Sequence, residues 1–357
     1  MSRGASKLAA DTAFDVSKQR IDWIDMAKGL TIILVVMEHT TAGVGAALGQ
    51  LPLVFGALAE FAKPFRMPLF FLVAGLFAYK ALYGDLRKFV DGKIVHFAYF
   101  YLLWSVIQIG LKIAVPHASA WQVTYVDLLM IPIQPFAVLW FIYSLAMFFV
   151  AMRLLRDARP VFVFFVALAL YFAKIETGWM LVDEFAWRFI WFVAGVYGAK
   201  QIFELADWAR DKPLHAVGLA SIMLASVAAV VFSHLVDIRG LELLMGIAGA
   251  GSAVMLVSLL ASAGLGAPLA YIGRHSLYIF LAFFLPMAAM RTGLVRMGID
   301  NGDLVTLLTT AFAVAAPIVA YRVVVNTPLD VFFVRPDMFR LTSPRPHTPK
   351  IMVAAGD

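Results

Sequence analysis

The chain has no cysteine among its 357 residues. Disulfides, thiol nucleophiles and cysteine-ligated metals are therefore excluded, and histidine, carboxylates and hydroxyls remain as the candidate chemistry. Charge is scarce as well: 15% of residues are charged and 62% are hydrophobic, with a mean hydropathy of +0.86. A soluble domain carries about 25% charged residues, so a soluble globular fold is excluded. There is no HExxH, no phosphate-cradling P-loop, no GxGxxG and no GxSxG, which leaves metalloprotease, NTPase, dinucleotide-binding and α/β-hydrolase readings without support and predicts no metal site. Residues 1–19 contain no apolar core and no small-residue cleavage pattern, so no cleaved signal peptide is expected.

Long apolar runs are what the chain does have. Segments 29–49, 55–79, 94–114, 133–153, 160–175, 185–203, 214–236, 240–262, 271–290 and 304–325 are each long enough, or nearly so, to cross about 30 Å of hydrocarbon. The expected fold is an all-α, polytopic integral membrane helical bundle of about ten transmembrane helices. It divides into a tail at 1–19, a membrane domain at 20–330 and a second tail at 331–357, whose Pro-rich, polar stretch from Arg335 onward is expected to be disordered.

The net charge of +6 is scattered over the loops rather than gathered on one face. That distribution argues against nucleic acid as a partner and for the positive-inside rule. Arg20, Lys28, Arg87, Lys88, Lys93, Arg153, Arg156, Arg159, Lys200, Arg210, Lys212, Arg335, Arg340, Arg345 and Lys350 fall on one side under the ten-segment reading, which predicts both termini on that, cytoplasmic, side. Pro64 and Pro68 are expected to interrupt the second segment and Pro132 and Pro135 to precede the fourth. Helix breaks at membrane depth are tolerated where they line a cavity, so both regions are candidates to border a pocket.

Ionisable groups inside such segments are costly and normally face a bundle interior or a wet cavity. His39 is one, within GLTIILVVMEHTTAGVGAALG, and Arg66 another, within FRMPLFFLVAGLFAY. Lys28 and His39 are eleven residues apart, hence nearly eclipsed on one helix face and about 16 Å apart along the axis. A neutral imidazole suits His39 to general-base work on a hydroxyl; the alternative is a histidine that only bonds across helices. Glu38 points about 100° away and can face a neighbouring helix. Arg66 has the planar fork that holds a carboxylate, phosphate or oxyanion, or else it snorkels outward or pairs with Glu60. Arg20, Asp22, Asp25 and Lys28 crowd the entry of the first segment, where they receive donor phosphates or anchor the helix. In GRHSL at 273–277, Arg274 and Ser276 open the ninth segment, and the serine serves there as a site residue or as a helix cap.

The string RIDWIDMAKGLTIILVVMEHT resembles the opening of the membrane acyltransferase 3 family. FRMPLFFLVAGLFAY, VLWFIYSLAMFF at 138–149 and YIGRHSLYIFL at 271–281 resemble its later signatures, in the same order. The WID-x-x-KG opening is most similar to the fucose O-acetylase-like branch. The resemblance implies an integral membrane O-acyltransferase that moves an acetyl, succinyl or other short acyl group from acyl-CoA, with acetyl-CoA the first expectation, to a hydroxyl of a glycan or glycolipid. No bound cofactor is implied, because acyl-CoA is a co-substrate. His39 then matches the family histidine with Glu38 beside it, Asp25 and Lys28 match the acidic and basic positions before it, Arg66 matches the position before MPLFF, and Trp140 and Ser276 fall on motif positions. Members often carry a histidine before LWF and another after the late helix, where this chain has Ala137 and Val138, and Phe283. The expected location is a bacterial inner membrane. The competing class is a transporter or exporter of a small polar solute or lipid-linked sugar that uses the same buried charges as a relay.

Overall fold

The computed structural model describes residues 22–114 and 123–342. Among them the chain is helical throughout and holds no β-strand. We number the principal helices α1 Asp22–Leu48, α2 Leu53–Leu76, α3 Leu86–Ala114, α4 Ala137–Leu154, α5 Pro160–Phe172, α6 Met180–Tyr197, α7 Ala199–Asp211, α8 Pro213–Phe232, α9 Arg239–Ser262, α10 Ala267–Arg274, α11 Ser276–Ala282, α12 Phe284–Arg296 and α13 Gly302–Val324. The molecule is a polytopic, all-helical membrane bundle.

Each of the ten predicted segments contains helix, but the count of ten is not reached on length and apolarity. Six helices, α1, α3, α4, α8, α9 and α13, are long and apolar enough to cross a membrane, and α11 with α12 makes a seventh if that pair, bent by 58° at Phe283, is one span. The remaining three fall short for physical reasons. Helix α2 carries Glu60, Lys63 and Arg66, α6 carries Asp183, Glu184 and Arg188, and α5 has only 13 residues.

Local chemistry sets several boundaries differently from the hydropathy reading. Pro64 and Pro68 lie inside a continuous α2 and do not interrupt it. Their effect is to withhold two backbone donors, which leaves carbonyls such as that of Pro64 without a helical partner. The sixth segment ends at Tyr197, and residues 199–211 form the separate, charge-rich helix α7. Before α4, Pro132 and Pro135 occupy a non-helical stretch, and Ala137 enters α4 with a φ of +48°. The described part of the C-terminal tail is docked, against the expectation of disorder from Arg335. Arg335 Nη2 lies 2.7 Å from Asp91 Oδ1, and Asp91 also accepts from Leu341 N at 3.0 Å. Tyr99 Oη donates to the Val331 carbonyl and Trp104 Nε1 to that of Phe332. Asp91, buried in α3, thus supplies the polar partner that composition alone could not reveal.

Small residues let the central helices touch backbone to backbone, as membrane helix pairs do. Helices α2 and α6 cross at Gly75 and Gly195: a Cβ at Gly75 would lie 2.5 Å from the Phe192 carbonyl oxygen, and one at Gly195 would collide with that of Leu72. Helix α10 lies on the start of α1 in the same manner, with Gly29 against Leu269 and Gly273 against Asp25. The obstacle is rigid backbone, so Gly195→Ala is expected to destabilise the protein by about 1–3 kcal/mol through forced separation of α2 and α6. A lowered thermal unfolding midpoint in detergent would show it, and an unchanged midpoint would mean that the crossing is looser than described.

Candidate active site

Helix α1 rises about 40 Å over its 27 residues, and His39 stands about 6 Å past its midpoint on the Leu48 side. Its neighbour Glu38 reaches across to α2, where Oε1 lies 3.1 Å from Arg66 Nη2. The other oxygen of the same carboxylate lies 3.7 Å from His39 Nδ1. One carboxylate therefore bridges an imidazole and a guanidinium from two helices. The 3.7 Å separation is too long for a hydrogen bond, so Glu38 acts on the imidazole as a neighbouring negative charge. The His39 ring also packs beside Phe283, with centroids 5.7 Å apart, at the break between α11 and α12. His39 is 35% exposed and Arg66 only 15%, so the guanidinium is the more deeply enclosed of the two.

The other residues singled out in the sequence divide between this centre and the far end of α1. Lys28 pairs with Asp25 at 3.6 Å, and eleven residues, about 16 Å of helix rise, separate that pair from His39. It cannot share a reacting atom with Arg66. Arg274 and Ser276 also belong to that end, because they follow Gly273, which abuts Asp25. Arg274 lies 5.6 Å from the centroid of the Tyr271 ring. Ser276 is the first helical residue rather than the cap; His275 occupies the cap position, with no side-chain capping bond. Arg20 lies outside the described residues. The alternative pairing of Arg66 with Glu60 does not occur, since Glu60 pairs with Lys63 at 3.8 Å.

Trp140 sits at the centre, but through a residue the sequence reading missed. The Arg188 guanidinium of α6 packs 5.1 Å from the Trp140 ring and 4.5 Å from Trp187, and it is paired with Glu184 one turn earlier. A cation–π contact of this kind is worth about 2 kcal/mol when desolvated. The signal was present in the sequence: Glu184 and Arg188 form an i,i+4 pair at the entry of an apolar segment, which meets the criterion that singled out Arg66. Beside Arg66 and Arg188 lies a cavity of about 110 Å³, which Pro64 and Pro68 also line, together with Trp187, Trp191, Tyr171 and Glu242. The pocket expected beside those prolines therefore exists, although the helix carrying them is unbroken.

This arrangement can hold a proton acceptor, an oxyanion partner and a hydroxylic substrate close together within a membrane bundle. No curated protein and no solved structure matches the chain. The family model of the acyltransferase 3 family, described as an acyltransferase domain, matches residues 21–322, a stretch that includes both α1 with His39 and α2 with Arg66 and extends to α13. The chain belongs to this acyltransferase family and is a membrane acyltransferase.

Proposed function

We propose that this acyltransferase moves an acetyl, succinyl or other short acyl group from acyl-CoA to a hydroxyl of a glycan or glycolipid, in a bacterial inner membrane with both termini in the cytoplasm. The carrying observation is the Glu38 carboxylate set between His39 and Arg66 on two helices. His39 is the base: as the acceptor oxygen attacks the thioester carbonyl, its proton passes to Nε2, the ring nitrogen turned away from Glu38. Glu38 stabilises the imidazolium that forms, and Arg66 faces the developing oxyanion. When the C–S bond breaks, the thiolate leaves and recovers the proton from the imidazolium, so that an ester and a free thiol are the products.

Lys28 and Asp25, at the other end of α1, receive the charged part of the donor, with Arg20 next to them in sequence. Arg274 and Ser276 support that end. The separation along α1 suits a donor whose charged head stays at the rim while its long arm carries the acyl group inward. Trp140 supports the reacting centre by holding Arg188.

The discriminating assay follows free thiol release from acetyl-CoA by the purified protein in nanodiscs, with and without a membrane glycolipid extract. Thiol release that rises with the extract and matches ester formed is the expected result. Movement of solute across the bilayer with no thiol released would support the transporter reading instead.

A further inference from the structure

Around His39 and the adjoining cavity, basic side chains are neutralised in pairs: Arg66 by Glu38, Arg188 by Glu184, Lys63 by Glu60 and Arg239 by Glu242. Arg291 on α12 differs. It is half-buried, yet it makes no ion pair and no hydrogen bond among the described residues. The helices packed against α12 have no free carboxylate to offer it. Helix α12 itself contains no acid, Glu38 of α1 is engaged with Arg66, and Asp303 of α13 accepts from the backbone N–H groups of Val54 and Phe55. Asp22 and Asp25 stand at the far end of α1. A cation inside a membrane bundle is costly and normally finds a partner or marks a site.

Glycine fixes where this cation lies. The Arg291 side chain crosses α1 at Gly43, where a Cβ would collide with Nη1 and would stand 3.4 Å from Cζ. A snorkelling arginine would reach out to water, whereas this one lies against the α1 backbone. Gly43 is one turn beyond His39, about 40° around the helix and about 6 Å along it. His39 packs beside Phe283 at the start of α12, and Arg291 stands two turns further along that helix. Arg291 is therefore on the Leu48 side of His39, and Lys28 is on the opposite side.

We propose that Arg291 is an anion-binding subsite for the acceptor, and that it takes a carboxylate or phosphate group carried close to the hydroxyl that His39 deprotonates. The inference rests on the acyl-transfer reading above and adds to it the charge of the acceptor and the residue that selects for it. The planar guanidinium offers five N–H donors, and its fork matches the paired oxygens of either group. The charged head of the donor is received at the Lys28 end of α1, so the two anions approach His39 from opposite ends and do not compete. Arg291 is a specificity-determining residue, with no part in the proton transfer.

The test uses the full chain in nanodiscs of zwitterionic lipid, labelled acetyl-CoA, and a membrane glycolipid extract separated by anion exchange into acidic and neutral pools. Wild type is expected to label the acidic pool at least tenfold better than the neutral one. Arg291→Gln is expected to raise the apparent KM for the acidic pool tenfold or more, to change that for acetyl-CoA less than twofold, and to leave the thermal unfolding midpoint no lower, since an unpaired cation is removed. Arg291→Lys, which keeps the charge without the fork, should recover part of the loss. Equal labelling of the two pools by wild type, or an unchanged acidic-pool KM in Arg291→Gln, overturns the proposal. So does neutral-pool labelling that depends on added phosphatidylglycerol and loses that dependence in Arg291→Gln, which would make the anion a lipid headgroup. Binding is read separately: the acidic pool should raise the unfolding midpoint of wild type but not of Arg291→Gln. That readout stands even where wild type transfers no label, a result that would remove the acyl-transfer reading alone.

Discussion

Replacing His39 with alanine is expected to lower acyl transfer by about 10²–10⁴-fold, the usual share of a positioned general base, while the protein stays folded. The effect belongs to the chemical step and not to stability. The side chain is 35% exposed and makes no hydrogen bond among the described residues, so its truncation removes little packing beyond the Phe283 contact. His39→Gln sharpens the test, because glutamine keeps polarity and approximate size but cannot take up the proton. Transfer rates per folded molecule, with thermal unfolding and size-exclusion profiles as controls, should place both variants at the same low level. Activity within about threefold of wild type in His39→Gln would remove His39 from the role of base.

Arg66→Gln is expected to have the second largest effect, a loss of about 10²–10³-fold, which is the cost of removing one preorganised oxyanion donor. Two roles must be separated, since Arg66 also lies 3.1 Å from Glu38 Oε1. If it did no more than position Glu38, the loss in Arg66→Gln would vanish once Glu38 was neutralised, and the double variant with Glu38→Gln would be no worse than Glu38→Gln alone. If Arg66 faces the reacting carbonyl, the double variant stays well below Glu38→Gln. A double-mutant cycle in kcat/KM reads the difference directly. Full additivity would assign the two groups independent roles and remove Glu38 as their bridge.

The membrane bundle was legible because hydrocarbon imposes long apolar runs, and His39 and Arg66 could be singled out because hydrocarbon penalises what they are. The mutual arrangement of the site was not. Neighbours on a helix point about 100° apart, and only the packing of α1 on α2 shows that Glu38 can touch both residues. Arg188 escaped attention because Glu184 lies one residue before the predicted segment 185–203, which placed the pair at a span boundary, although the helix already starts at Met180. Distance explains the tail. Asp91 and Arg335 are 244 residues apart, and no local pattern announces their pairing. The proline effect was legible in part: loss of backbone donors was readable from Pro64 and Pro68, but whether a helix breaks or continues depends on its neighbours, here the α6 and α9 residues around the cavity.

Acyl transfer by the purified, reconstituted protein is the most direct measurement of the account. Labelled acetyl-CoA is supplied with a membrane glycolipid and polysaccharide extract, and wild type is compared with His39→Ala at matched folding. The account predicts alkali-labile label in the glycan fraction with wild type, stoichiometric with free CoA, and essentially none with the variant. Label incorporated equally by both proteins would contradict the assignment of His39, and neither transfer nor thioester hydrolysis by wild type would contradict the proposed reaction.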